Sequence, residues 1–202
     1  MTIYLNFFIA VWLKFFFLLT PFFVMSVFLS MTKELTPRER RRLALKVTGA
    51  VLVTCFTLYF FGNHLFSLFG ITIDSFRIGA GALLFLSAVQ MVQGNVAVTA
   101  GEGEHDIAVV PLAIPVTVGP ATTGALLVMG AELQGAWQMV IGCAALAAAI
   151  LCIGGLLASA ASIEHVIGKR GIVILSKLTG LMLAAIAAQI ILTGIRSFLA
   201  SK

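Results

Sequence analysis

Apolar residues fill six long runs along the chain, Ile3 to Met31, Val47 to Phe69, Phe76 to Val92, Ile107 to Met129, Ala136 to Leu157 and Ile172 to Ile195, with short polar stretches between them. A helix needs roughly 17 to 25 apolar residues to cross a hydrocarbon core, and each run supplies them. The pattern predicts six transmembrane helices and leaves nothing for a soluble domain.

Composition agrees. Of 202 residues, 60% are hydrophobic and only 10% charged, with a mean hydropathy of +1.10, more apolar surface than a water-soluble domain can hide. The first run has no charge ahead of it, contains Lys14 and lacks a small-residue cleavage pattern, so it is expected to stay in the mature protein as a span. Cys55, Cys143 and Cys152 lie inside apolar runs without a C-x-x-C pair and read as small packing residues.

The net charge of +5 marks topology rather than a nucleic-acid partner. Lys33, Arg38, Arg40, Arg41, Arg42 and Lys46 separate the first two runs, and Lys169 and Arg170 the last two. The positive-inside rule makes these connections cytoplasmic, which turns both termini outward and puts the acidic link Gly94 to Asp106 inside. An inner (plasma) membrane location follows as an expectation.

An internal regularity organises the runs. Thr20-Pro21 in the first and Gly119-Pro120 in the fourth stand 99 residues apart, and Gln90 and Gly94 of the third are echoed by Gln189 and Gly194 of the sixth. A unit of three spans crosses an odd number of times, so its second copy must run upside down, the plan of many secondary transporters. The expected fold is therefore an all-α membrane protein of two inverted three-helix repeats, residues 1–94 and 107–202, joined by a cytoplasmic linker at 95–106. Helices 1 and 4 are broken at proline.

Those breaks carry the candidate chemistry. Pro21, Pro111, Pro115 and Pro120 interrupt apolar runs, and each removes a backbone donor and frees a carbonyl. Irregular backbone at membrane depth must be buried in protein or line a wet cavity. Proline favours the first helical position, so Thr20-Pro21 and Gly119-Pro120 read as new helix starts. Their first amides, at Phe22, Phe23, Ala121, Thr122 and Thr123, lack intrahelical partners and carry the positive end of a helix dipole, a setting suited to a carboxylate. The candidate binding residues are Thr20, Pro21, Thr117, Gly119, Pro120, Ala121, Thr122 and Thr123, with Gln90 and Gln189 either reaching the cavity or bonding a neighbouring helix. Pro kinks satisfied by Ser, Thr and adjacent helices are the structural alternative.

Other intramembrane polar residues are few. Asp74 and Arg77 have the spacing of helix capping, Lys177 reads as a snorkelling residue, Lys14 as either a snorkelling or a coupling residue, and Glu132 as a candidate coupling residue. The small-residue series Gly180-Ala184-Ala188 and Ala144-Ala148-Cys152 read as helix-packing faces. His64, His105 and His165 lie at span ends without metal-ligand spacing, and no nucleophile elbow or phosphate loop occurs. No enzyme activity, metal or cofactor is expected; a coupling ion, proton or sodium, remains open.

Pro111-Leu112-Ala113-Ile114-Pro115 with Gly119-Pro120, the run Phe69 to Ile78 beginning Phe-Gly-Ile-Thr, and Gly168-Lys169-Arg170-Gly171 leading to Leu178-Thr179-Gly180 resemble the MarC family of membrane proteins over nearly the whole chain. The resemblance implies six spans in two inverted triplets, outward termini and transport of small neutral amino acids such as alanine, glycine or serine. One departure stands out. The family's first break carries Asn-Pro and small residues, whereas this chain has Thr20-Pro21-Phe22-Phe23, two rings that narrow that side. Two alternatives are carried along: a non-transporting membrane protein that docks a partner or an anionic headgroup through its arginine-rich segment, and efflux of a metal or inorganic ion, which the scarcity of membrane carboxylates disfavours.

Overall fold

The computed structural model describes residues 2–94, 117–132 and 135–200, and within them the chain is wholly helical. Seven helices follow in order: α1 (Thr2–Leu18), α2 (Pro21–Met31), α3 (Pro37–Phe69), α4 (Ile73–Gln93), α5 (Pro120–Glu132), α6 (Ala136–Ala158) and α7 (Ala160–Ala200). Five stretches of the described residues are long and apolar enough to cross a membrane: Tyr4–Met31, Pro37–Phe61, Ile73–Gln93, Ala136–Ala158 and Ala160–Ala200. Residues 107–116 of the fourth expected span, Pro111 and Pro115 among them, lie outside the described residues, as does the linker at 95–106. The rest of that span is described and leads into α5, whose 13 residues extend only about 20 Å.

Two boundaries differ from the hydropathy reading, and local chemistry explains both. Helix α3 begins at Pro37, ten residues before Val47, so the arginine-rich segment is mostly helix rather than loop. Thr36 caps it. Its hydroxyl oxygen accepts from the Glu39 amide at 3.4 Å, while the Thr36 amide donates to the Glu39 carboxylate at 2.9 Å, a reciprocal cap that satisfies two otherwise orphaned donors. Helix α7 likewise begins well before Ile172, and a bend at Gly168 (φ 70°, ψ 167°) interrupts it. That backbone conformation suits glycine because it has no Cβ. Helix α4 is capped by Thr72, whose hydroxyl oxygen accepts from the Ser75 amide at 3.2 Å, leaving Asp74 free for another role.

Among the described helices α4 and α7 make the most extensive contact, and α2 packs on α7 much as α5 packs on α4. The α4–α7 seam is antiparallel and built on small residues, as membrane helix pairs commonly are. A Cβ placed on Gly81 would stand 3.1 Å from the Ala187 carbonyl oxygen and 2.6 Å from the Ile191 side chain; one on Gly180 would stand 3.1 Å from the Ala88 carbonyl oxygen and 3.0 Å from Val92. Each residue of the first set has its counterpart 99 positions away in the second. The seam therefore maps onto itself when the two helices are exchanged.

The packed centre gathers Phe15, Leu18, Leu19, Met25, Phe28, Leu126, Leu146 and Ile150, all inaccessible. Large apolar residues such as Leu45, Val53, Leu83, Leu86, Val140, Leu151 and Leu192 face outward, the inverse of a soluble protein and the surface a lipid solvent favours. One bundle end joins the start of α1, the α3–α4 turn, the end of α5 and the start of α6, with Trp137 against Tyr4 and Phe7 at ring separations of 5.4 and 5.2 Å. Aromatic residues of this kind suit a headgroup interface. The other end holds the end of α2, the start of α3 and the bend of α7.

Candidate functional site

Backbone geometry defines the site. Helix α1 stops at Leu18; the Leu19 amide still bonds the Phe15 carbonyl at 3.1 Å and the Thr20 amide the Phe17 carbonyl at 3.0 Å, but Thr20 then turns into the left-handed region (φ 48°, ψ 57°). Among the described residues it is the one non-glycine with positive φ. For a β-branched side chain this conformation is strained, and it persists because Thr20 is buried between Leu19 and Pro21, also buried. Its side chain makes no cap. Pro21 opens α2, whose first regular bond runs from the Val24 amide to the Thr20 carbonyl at 3.0 Å.

The second break repeats this register. Pro120 opens α5, and the Thr123 amide, expected from sequence to be without a partner, bonds the Gly119 carbonyl at 2.8 Å, again 99 residues on, because it is already the first regular bond of the helix. At both breaks the amides ahead of that bond belong to the unsatisfied first turn of a helix.

The two breaks touch. In an unbroken helix the Leu18 carbonyl would accept from the Phe22 amide; here the Thr122 hydroxyl donates to it at 3.4 Å. The positive N-terminal end of α5 thus abuts the negative C-terminal end of α1. Thr117, Val118, Ala121 and Thr122 are buried beside it, while Thr123 is half-buried and Pro120 exposed. Thr123 and Pro120, with Gly124, form one wall of an open cleft of about 500 Å³ whose other wall is Ser75, Phe76 and Gly79 of α4. On the far side of the first break, Phe23 and Ser26 of α2 share a cavity of about 160 Å³ with Ser176 and Lys177 of α7 and Met91 of α4.

The glutamines stand apart from the breaks. Gln90 faces outward on α4. Gln189 lines a separate cavity of about 90 Å³ with Lys14, Glu132 and Thr193. Asp74, read from its spacing as a capping residue, instead joins an ion-pair chain: Arg77 donates from Nη1 to the Asp74 carboxylate at 2.6 Å and from Nε to Glu132 at 2.9 Å, tying the start of α4 to the end of α5. Pro115 and Val116, which complete the candidate segment of the fourth run, lie outside the described residues.

Sequence reading missed two hydroxyls. Ser176 is buried, and its Oγ has no hydrogen-bond partner among the described residues, an expensive state in an apolar setting. Ser26 shares its cavity. The signal was faint: a lone serine beside Lys177 in one apolar run and another within Met25-Ser26-Val27. Among the described residues no cluster of His, Cys, Asp or Glu is arranged to hold a metal ion.

Long apolar helices, an outward-facing apolar surface and a buried helix break define a multi-pass integral membrane protein. Comparison with known proteins specifies it further. The model of the MarC family integral membrane proteins matches residues 5–199. The chain is 33% identical over 202 residues to the UPF0056 membrane protein MJ1677 of Methanocaldococcus jannaschii, covering 96% of this chain and 98% of that one. It is 31% identical over 206 residues to the UPF0056 membrane protein YhcE of Escherichia coli, covering 96% and 92%, and 34% identical over 185 residues to a UPF0056 membrane protein of Pyrococcus abyssi, covering 87% and 88%. The chain belongs to the MarC family. No solved structure matches it.

Proposed function

We propose that this protein is a secondary transporter or exporter of a small solute, most suitably a small neutral amino acid, bound near the midplane where the two broken helices meet. The contact between Thr122 and Leu18 is the observation that carries the reading. It brings a helix N-terminus to a broken backbone in the buried centre of an apolar bundle, where irregular backbone is tolerated when it serves a cavity. The orphaned amides at Phe22, Phe23, Ala121 and Thr122 suit a substrate carboxylate, the hydroxyls of Thr20, Thr117 and Thr123 suit its ammonium group, and Ala121 and Gly124 leave room for a compact side chain.

The same proposal includes six spans in two inverted repeats and an inner-membrane location with both termini outside. The exchange symmetry of the α4–α7 seam and the matched registers at Thr20 and Gly119 support the repeat. The gathering of Lys33, Arg40 and Lys169 at one bundle end supports the orientation. Glu132 and Lys14, beside Gln189, are the candidates for coupling to protons or sodium.

The test is uptake of labelled alanine, glycine and serine by proteoliposomes, with and without imposed proton and sodium gradients. Saturable uptake that Thr123→Val abolishes supports the proposal. Absence of uptake of all three under every gradient, from folded protein, rejects the amino-acid assignment.

A further inference from the structure

At the basic end of the bundle, the last turns of α2, the first turn of α3 and the bend of α7 enclose a cavity of about 480 Å³. Three cations, Lys33 and Arg40 from the α2–α3 connection and Lys169 from α7, line it together with Glu164 and the hydroxyls of Ser26 and Ser30. One carboxylate against three cations leaves two positive charges uncompensated. Among the described residues none of the three cations makes an ion pair within 4.0 Å.

Arg40 is positioned rather than free. Its Nη2 donates to the Thr32 carbonyl at 2.8 Å, and Thr32, fully buried, is itself held by its hydroxyl bond to the Phe28 carbonyl at 2.7 Å. The Arg40 Nε is buried and has no partner among the described residues, although a buried guanidinium donor is costly to leave unmade. Glu164 and Lys169 stand on either side of the bend at Gly168, and both line the cavity.

We infer that this cavity binds a phosphate-bearing anion, presented as the headgroup of an anionic phospholipid. Arginine and lysine supply the charge and the forked donors that phosphate oxygens accept, and the two serines add neutral donors. Basic pockets between spans at the membrane surface are suited to such headgroups. The cavity wall gives the reason for a lipid over a free ion: Leu29, Ile172 and Val173 line it, and Val173 and Ile174 continue outward as exposed apolar surface along which acyl chains can lie. The inference does not depend on transport.

Native mass spectrometry of the purified protein tests it, with stepwise delipidation and re-addition of phosphatidylglycerol, phosphatidylcholine or inorganic phosphate. The expected result is retention of phosphatidylglycerol at least tenfold over phosphatidylcholine, lost in Arg40→Gln/Lys169→Gln and kept in Arg41→Gln, which alters an exposed arginine that does not line the cavity. Lys33→Gln, on the exposed rim, gives a second reading should the double variant fold poorly. Equal retention of the two lipids, or equal loss in Arg41→Gln, overturns the inference. Stabilisation by millimolar inorganic phosphate without lipid preference overturns the lipid assignment.

Discussion

The hydroxyl of Thr122 donates to the carbonyl of Leu18 at 3.4 Å across 104 residues of sequence. One partner is a side chain in the first turn of α5; the other is a backbone oxygen that the turn at Thr20 released from α1. Neither has a comparable local partner, so the bond joins two interruptions that each would be costly alone.

Replacing Thr122 by valine keeps the shape and removes the donor. The expected loss is about 1 kcal/mol of stability from the unsatisfied carbonyl. If the proposed site is correct, amino-acid uptake falls roughly five- to thirtyfold, the change that about 1 to 2 kcal/mol produces. Thermal unfolding in detergent and proteoliposome flux measure the two effects separately.

Thr20→Gly should stabilise the protein. The left-handed conformation costs a non-glycine residue about 1 to 3 kcal/mol, and glycine returns about 0.5 to 1 kcal/mol of that through its more flexible unfolded chain. A net gain of about 1 kcal/mol over both wild type and Thr20→Ala is expected in the unfolding midpoint. A lower midpoint for Thr20→Gly than for Thr20→Ala would show that the turn is unstrained.

Gly130 permits a close backbone approach between α5 and α3: a Cβ there would run into the Tyr59 carbonyl. Gly130→Ala should cost about 1 to 3 kcal/mol by overpacking and lower the yield of folded protein. Gly155→Ala, where a Cβ meets nothing within 4 Å, serves as the matched control and should be neutral or slightly stabilising. Size-exclusion profiles and unfolding midpoints distinguish them.

Gly81→Ala and Gly180→Ala should behave alike, because each methyl would meet a carbonyl oxygen at 3.1 Å across the same seam. Their unfolding midpoints are expected to fall by similar amounts. A large effect at one and none at the other would show that the two halves of the seam are not equivalent in solution.

Much of the fold was legible because lipid imposes simple constraints. An apolar run of sufficient length has to be a helix with its backbone bonds made internally, and a proline inside such a run has to interrupt them. Pro21 and Pro120 did so at the residues where α2 and α5 begin, and Gly81, Ala88, Ala187 and Gly180 kept the offset of 99 that the two proline breaks display. Less legible was the start of α3. Its arginines lowered the hydropathy although Thr36 and Glu39 carry the signature of a helix cap.

What the sequence by itself determined is thus the solvent, the helices and the places where they break, since each follows from hydropathy and from bonds between residues a few positions apart. Tertiary structure alone decided what those breaks face. That Thr122 meets Leu18, that Gln189 lies with Lys14 and Glu132 rather than at the breaks, and that Arg77 ties α4 to α5 depend on how helices pack side by side. The same holds for Lys33 and Arg40, which meet Lys169 in one cavity where the α2–α3 connection packs beside the bend at Gly168. The physical reason is that apolar helix faces in lipid differ little in hydrophobicity. Their pairing is set by close packing at small residues such as Gly81, Gly130 and Gly180, a match of surfaces that no single run of sequence contains.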